Sequence, residues 1–194
     1  MEDSEYALFP LSTVVFPGGI MPMRIFEPRY LDMVSQCMRA GRGFGICAAQ
    51  LAGKSGFSAP HSIGTLVEIT DFDRLSDGQL GITVEGRRRF EVATTRHADN
   101  GLWSGEVVFI DEDRDGPCPL EFAALKQIAA ALIKHTGLPY EQRKIDYNSA
   151  SWLSARLTEL LPFDAETKHE LLATSDPQER LRRIRPMVEI ENAE

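Results

Sequence analysis

Apolar and polar positions follow two different periods in this chain, changing near residue 111. Before it, Thr65, Val67 and Ile69 alternate with Leu66, Glu68 and Thr70, the period of two of a half-buried strand. Asp77-Gly78 separates strand-like residues 65–73 from 80–85, and Asn100-Gly101 separates 89–95 from 102–110. Both dipeptides tolerate the positive φ of tight hairpin turns. Residues 6–11 read as a further strand, 12–19 as a loop broken by Pro17-Gly18-Gly19, and 44–51 as a buried strand. One helix interrupts them: Pro28 suits its first position, Tyr30/Leu31, Val34 and Cys37/Met38 recur at helical spacing, and Gly41 stops it.

Residues 111–119 are charged and turn-rich, and read as a linker. Helical spacing then takes over. A helix near Pro119 carries Phe122/Leu125, Ile128/Ala129 and Leu132/Ile133 and ends at Gly137. Ser151 is the expected cap of a second helix, with Trp152/Leu153, Leu157 and Leu160/Leu161 inside, and Asp164 opens a third. The fourth has Asp176 as N-cap, Pro177 at the first position and Glu179 as the acid of a capping box, with Leu181, Ile184 and Val188 facing inward. The pattern predicts an α+β protein: a mainly antiparallel β pseudo-barrel with one inserted helix over residues 1–117, then an all-α helical bundle over 118–194. A meander of this size must hide its edges, hence the barrel.

Composition narrows the functional classes. The 194 residues suffice for a hydrophobic core without disulfides or metals, and 43% hydrophobic against 26% charged residues is ordinary for a globular chain. A net charge of −8 makes sequence-independent nucleic-acid binding and docking on anionic lipid unfavourable. The acidic start lacks the basic and apolar regions of a signal peptide, and the apolar stretch 13–23 is cut by Pro17, Gly18, Gly19 and Pro22. With Cys37, Cys47 and Cys118 odd in number and far apart, a reduced cytoplasmic protein is expected.

Catalytic motifs fail on their context. Ala48-Ala49-Gln50-Leu51-Ala52-Gly53-Lys54-Ser55 approximates a phosphate loop, and the strand before Asp111-Glu112 approximates its magnesium-holding partner. Phosphate binding there needs a helix to begin at Lys54-Ser55, but Gly56 and Pro60 oppose one. His61, His97, His135 and His169 lack the spacing of metal ligands, so no metal or cofactor is expected. Gly53-Lys54-Ser55-Gly56 lacks the frame of a serine nucleophile. Cys37 and Cys47 read as core residues, leaving Cys118 as the candidate exposed thiol. Of the basic clusters, Arg87-Arg88-Arg89 is split between strand faces, and Arg180, Arg182, Arg183 and Arg185 share their helix with acids that suggest ion pairs.

A more specific signal lies in Leu8-Phe9-Pro10-Leu11, Val14-Val15-Phe16-Pro17-Gly18 and Ile25-Phe26-Glu27-Pro28-Arg29-Tyr30. In that order and spacing they resemble the opening of the Lon N-terminal domain family. The resemblance continues through Gly43-Phe44-Gly45-Ile46, Ile63-Gly64-Thr65-Leu66-Val67-Glu68, Gly86-Arg87-Arg88-Arg89-Phe90 and Leu171-Leu172 to Asp176 and Glu179-Arg180-Leu181. Met21 and Met23 depart from the family's leucines, and residues 138–150 match nothing in its pattern.

The resemblance implies a PUA-like barrel followed by helices, and a role in recognising unfolded or tagged protein substrates. Lon's ATPase and Ser-Lys protease modules find no counterpart in this length, so a stand-alone, non-enzymatic protein- or peptide-binding module is expected, an adaptor in protein quality control working with a separate protease. The residues where the signature joins strand to helix, Pro22, Met23, Arg24, Phe26, Arg29 and Tyr30, are the candidate peptide-binding residues. The alternative is an RNA-binding PUA-like protein using the arginine clusters.

Overall fold

The computed structural model describes residues 4–50, 57–111, 114–137 and 145–191. Its strands are β1 (Glu5–Leu11), β2 (Ile20–Ile25), β3 (Phe44–Ala48), β4 (Ile63–Arg74), β5 (Leu80–His97) and β6 (Trp103–Phe109), with helix α1 (Pro28–Ala40) between β2 and β3. The sheet order is β2-β5-β4-β3-β1-β6, and β5 also pairs with β6. That last pairing closes β5-β4-β3-β1-β6 into a barrel. β2 remains outside it, laid on the first half of β5. β1 and β3 run parallel, and the other pairs are antiparallel. The fold class is α+β, as the pattern predicted.

Two expectations about the strands are corrected. β5 is one strand of 18 residues rather than two, carried past a register shift at Arg87, whose guanidinium is held by Glu68 and Glu85. β2 was hidden by Pro22 among the Pro and Gly punctuation. Gly86 N–H donates to Gly19 O, so strand alternation turns Met21 and Met23 toward β5 and Pro22 toward the open side. A proline can occupy that side because no ladder bond needs its missing N–H. Both hairpin turns form as expected, with Gly78 and Gly101 at φ +83°.

Phe9, Val15, Phe44, Ile46, Val67 and Val84 pack against the α1 stripe of Tyr30, Met33, Val34 and Cys37, while the five closed strands all contribute to a second cluster around Leu8, Cys47, Phe90 and Val107. Each such side chain contributes roughly 1.5–3 kcal/mol through burial. Beyond the barrel lie a short 3-10 turn (Leu120–Phe122) and helices α2 (Ala123–Thr136), α3 (Ala150–Leu160), α4 (Ala165–Ala173) and α5 (Pro177–Glu191). They share a cluster of Phe122, Leu125, Leu153, Leu157, Leu181 and Ile184.

Several capping expectations change. Ser149, not Ser151, caps α3, accepting from Trp152 N–H at 2.9 Å. Ser151 lies one residue inside the helix, and its N–H donates to Asp115. Asp164 and Asp176 cap as expected, but Glu179 turns outward to Arg182 and Arg183 rather than back to the cap. The expected linker is stitched to α3: Ala150 N–H donates to Gly116 O, Cys118 N–H to Asn148 O, and Ser149 Oγ to Asp115. Cys118 is consequently 8% exposed, and burial raises its thiol pKa, so it is no open thiol. Burial pushes Cys47 up to about 12.

Charged side chains fasten barrel to helices. Arg156, 1% exposed, pairs with Glu159 at 2.8 Å and donates to Pro17 O, while Glu159 accepts the Phe16 N–H at 2.6 Å. Lys168 donates to Thr13 Oγ1 and Glu159 O, and Arg89 to Leu172 O. Burial raises the Glu159 pKa and lowers that of Lys168; pairing with Arg156 and Glu159, respectively, opposes each shift. Arg180, expected on an ion-paired helix surface, is fully buried. It donates to Ser154 Oγ and Thr174 O, and its guanidinium lies 4.9 Å from the Phe16 ring centroid.

Candidate functional site

β2, the first half of β5 and the outer half of β4 project beyond the closed barrel as a three-stranded flap. A cavity of about 290 Å³ lies on it, lined by Pro22, Met23, Arg24, Phe72, Leu75 and Ile82. A second, of about 400 Å³, runs between the C-terminal end of α1, at Met38 and Gly41, and β4 residues Ile69 and Phe72. A third, of about 420 Å³, sits over the hairpin at Phe72, Gly78 and Leu80.

Phe72 borders all three and is 61% exposed. A large aromatic held in water at the junction of three grooves is unusual for a side chain that burial would stabilise. Met38 is 48% exposed, and Leu31, seven residues earlier on α1, is 38% exposed. Flexible methionines beside an aromatic anchor suit contact with varied sequences. Acids rim this surface: Asp77 pairs with Arg24 at 2.9 Å, Glu68 pairs with Arg87, and Asp71 and Asp73 accept the N–H groups of Phe72 and Arg74.

The structure divides the six candidate residues. Pro22, Met23 and Arg24 line the 290 Å³ cavity, and Phe26, just past β2, is 62% exposed. Arg29 and Tyr30 border a separate cavity of about 100 Å³ with Pro10, His97 and Trp103. Arg29 is held by Glu27 and Gly101 O, and Tyr30 is buried and stacked 4.0 Å from Phe9. The sequence reading places Phe72 in the strand 65–73 but does not single it out, because strand period alone does not say which ring stays uncovered. An apolar residue between two acids in a strand was the available signal.

Lys54 and Ser55 of the phosphate-loop candidate, and Glu112 of its partner strand, lie outside the described residues. Among the described residues, no three His, Cys, Asp or Glu side chains are placed to hold a metal ion. Nor do the arginines form a positive stripe: Arg89 and Arg180 are buried, and Arg87, Arg182 and Arg183 pair with acids. The cavity between barrel and helices, at Phe16, Arg89, Asp115 and Trp152, holds about 200 Å³. No helix among the described residues is long and apolar enough to cross a membrane.

Two histidines meet where α4 rests on the barrel. His61 and His169 stack with ring centroids 4.3 Å apart, and His61 lies 3.5 Å from Glu166. Burial and then the neighbouring His61 lower the His169 pKa, against opposing pulls from Glu166, the Ile63 backbone and Glu170. A lowered folded-state pKa means the associated stability is present above the unfolded value near 6.5 and is lost as pH falls through the folded value. Thermal unfolding followed by circular dichroism should therefore show the midpoint dropping from about pH 7.5 to about pH 5.5, with a smaller drop in His169→Gln. Equal drops in both proteins would rule His169 out as the cause.

Comparison with known proteins agrees with this architecture. A crystal structure titled Lon N-terminal domain protein from Xanthomonas campestris superposes with a TM-score of 0.74 at 36% identity, covering 93% of this chain and 96% of that one. The N-terminal domain of Mycobacterium avium complex Lon protease shares the fold, at a TM-score of 0.59 and 22% identity over 92% of this chain and 94% of that one. Lon protease 1 of Syntrophobacter fumaroxidans is 28% identical over 190 residues, which are 91% of this chain and 23% of that protease. The chain thus spans about a quarter of that relative's length. The model of the ATP-dependent protease La (LON) substrate-binding domain matches residues 5–189. The chain belongs to the Lon substrate-binding domain family.

Proposed function

We propose that this protein is a non-catalytic module that binds unfolded segments of other proteins through the face centred on Phe72, and that it presents them to a separate ATP-dependent protease in the cytoplasm. The family match supports protein-substrate recognition, and the 61% exposed Phe72 at the meeting of three grooves is the observation that carries the choice of face. Grooves of this kind accept apolar side chains from an extended segment, while the flanking acids keep the free face soluble. The three free cysteines are all buried, which suits a reducing compartment.

The test is fluorescence anisotropy with a permanently unfolded, carboxymethylated protein as probe. The native chain should bind it, and Phe72→Ser should weaken binding by about tenfold, the size expected for removing one aromatic anchor. Val108→Ser, which removes a 63% exposed side chain from β6, should leave binding unchanged. Binding that ignores Phe72→Ser, or its absence in the native chain, would contradict the proposal.

A further inference from the structure

The barrel leaves part of β4 unpaired. β4 pairs with β5 out to Arg74, but with β3 only over Gly64–Val67. From Glu68 onward its outer edge has no strand partner among the described residues. The C-terminal end of α1 stands across from this edge, and the 400 Å³ groove lies between them. An open edge facing a wall of Cys37, Met38 and Gly41, with Arg42 at its end, is a geometry in which an extended segment adds as a strand.

The edge also carries a charge signature. Residues 68–73 read Glu-Ile-Thr-Asp-Phe-Asp; Glu68 is paired with Arg87, which leaves Asp71 and Asp73 as the acids an incoming segment would meet. Because Met23 lies opposite Ile82 on the β2 side, alternation along β5 turns Asp71 and Asp73 toward β5 and Phe72 and Arg74 toward the open edge. Two of the outward N–H groups, those of Phe72 and Arg74, are occupied by the Asp71 and Asp73 carboxylates at 2.9 and 2.7 Å. The edge is therefore capped by its own acids. Lysine or arginine side chains on an incoming segment offer these carboxylates charge-assisted partners and release the N–H groups. An acidic segment, or a second copy of this net −8 chain, meets repulsion instead.

We propose that the outer edge of β4 over residues 68–73 takes up an extended polypeptide segment that alternates apolar residues with lysine or arginine, paired to it as an added strand with its apolar side chains against Ile69, Phe72 and Met38. This rests on the protein-binding reading above and specifies its occupant and its mode.

The test uses anisotropy on the full chain with a labelled peptide alternating lysine with valine and phenylalanine. Companion probes carry glutamate in place of lysine, or backbone N-methyl groups on every second residue in one register or the other. The lysine peptide should bind, and the glutamate peptide should bind at least about tenfold more weakly. N-methylation should cost about tenfold or more in one register and less than about threefold in the other, since only alternate residues bond to an edge. Asp71→Lys with Asp73→Lys, checked for an unchanged melting temperature, should reverse the preference between lysine and glutamate peptides. Equal binding of the two charge types, equal binding of both N-methylated registers, or no binding of the lysine peptide overturns the proposal. The broader reading survives those results if unfolded protein still binds through Phe72, and falls only if unfolded protein fails to bind as well.

Discussion

Replacing Arg156 with methionine is expected to destabilise the fold by about 3–5 kcal/mol, read from urea unfolding, because a buried carboxylate is left without its guanidinium. Arg156 and Glu159 are 1% and 9% exposed in their side chains. Glu159 would keep the Phe16 N–H and the nearby Lys168, whose ammonium bonds to the Glu159 carbonyl and Thr13 rather than to the carboxylate. Methionine fills much of the same volume, so the loss reports charge rather than a cavity. The double replacement Arg156→Met with Glu159→Met should recover at least half of it, since removing both charges removes the uncompensated one. A single replacement costing less than about 1 kcal/mol would show that the pair is not what holds the 12–19 loop to the helices.

Gly86→Ala should cost about 3 kcal/mol through overpacking, and the strain falls on the backbone. A Cβ on Gly86 would stand 2.1 Å from the Phe16 carbonyl oxygen and 3.0 Å from Val15 Cγ1. Gly86 also exchanges bonds with Gly18 and Gly19, so the loop cannot retreat without breaking them. Phe16 is pinned from the other side by Glu159 at its N–H and by Arg180 over its ring. Thermal unfolding should show a lower midpoint with the same folded-state circular dichroism. An unchanged midpoint would mean that the loop yields more freely than these bonds imply.

Local signals in the sequence transferred well to the structure. Asp77-Gly78 and Asn100-Gly101 announced their turns because positive φ is a property of the residues themselves. Pro28, Asp164, Asp176 and Gly137 marked helix ends for similarly local reasons. Features that depend on partners far along the chain were not legible. Pro22 concealed β2, since only the register against β5 reveals that its nitrogen faces outward. The sequence suggests ion pairs along its own helix for Arg180 and only a strand face for Arg89, because their partners, the Thr174 and Leu172 carbonyls and the Phe16 ring, are supplied by tertiary folding. The Lon-like signature directed attention to residues 22–30, of which Pro22, Met23 and Arg24 do line a groove. Phe72, outside the signature and flanked by aspartates, becomes visible only when β4 extends past β3.

The central claim is that proteins are bound at the flap around Phe72 rather than on the helices. Hydrogen exchange of the full chain, with and without the carboxymethylated unfolded protein, tests it most directly. Protection should appear in β4 from Glu68 to Arg74 and in the neighbouring end of α1, with the amides of α2 and α5 unchanged. Protection confined to the helical side, where Leu120 and Met187 are exposed, would contradict it.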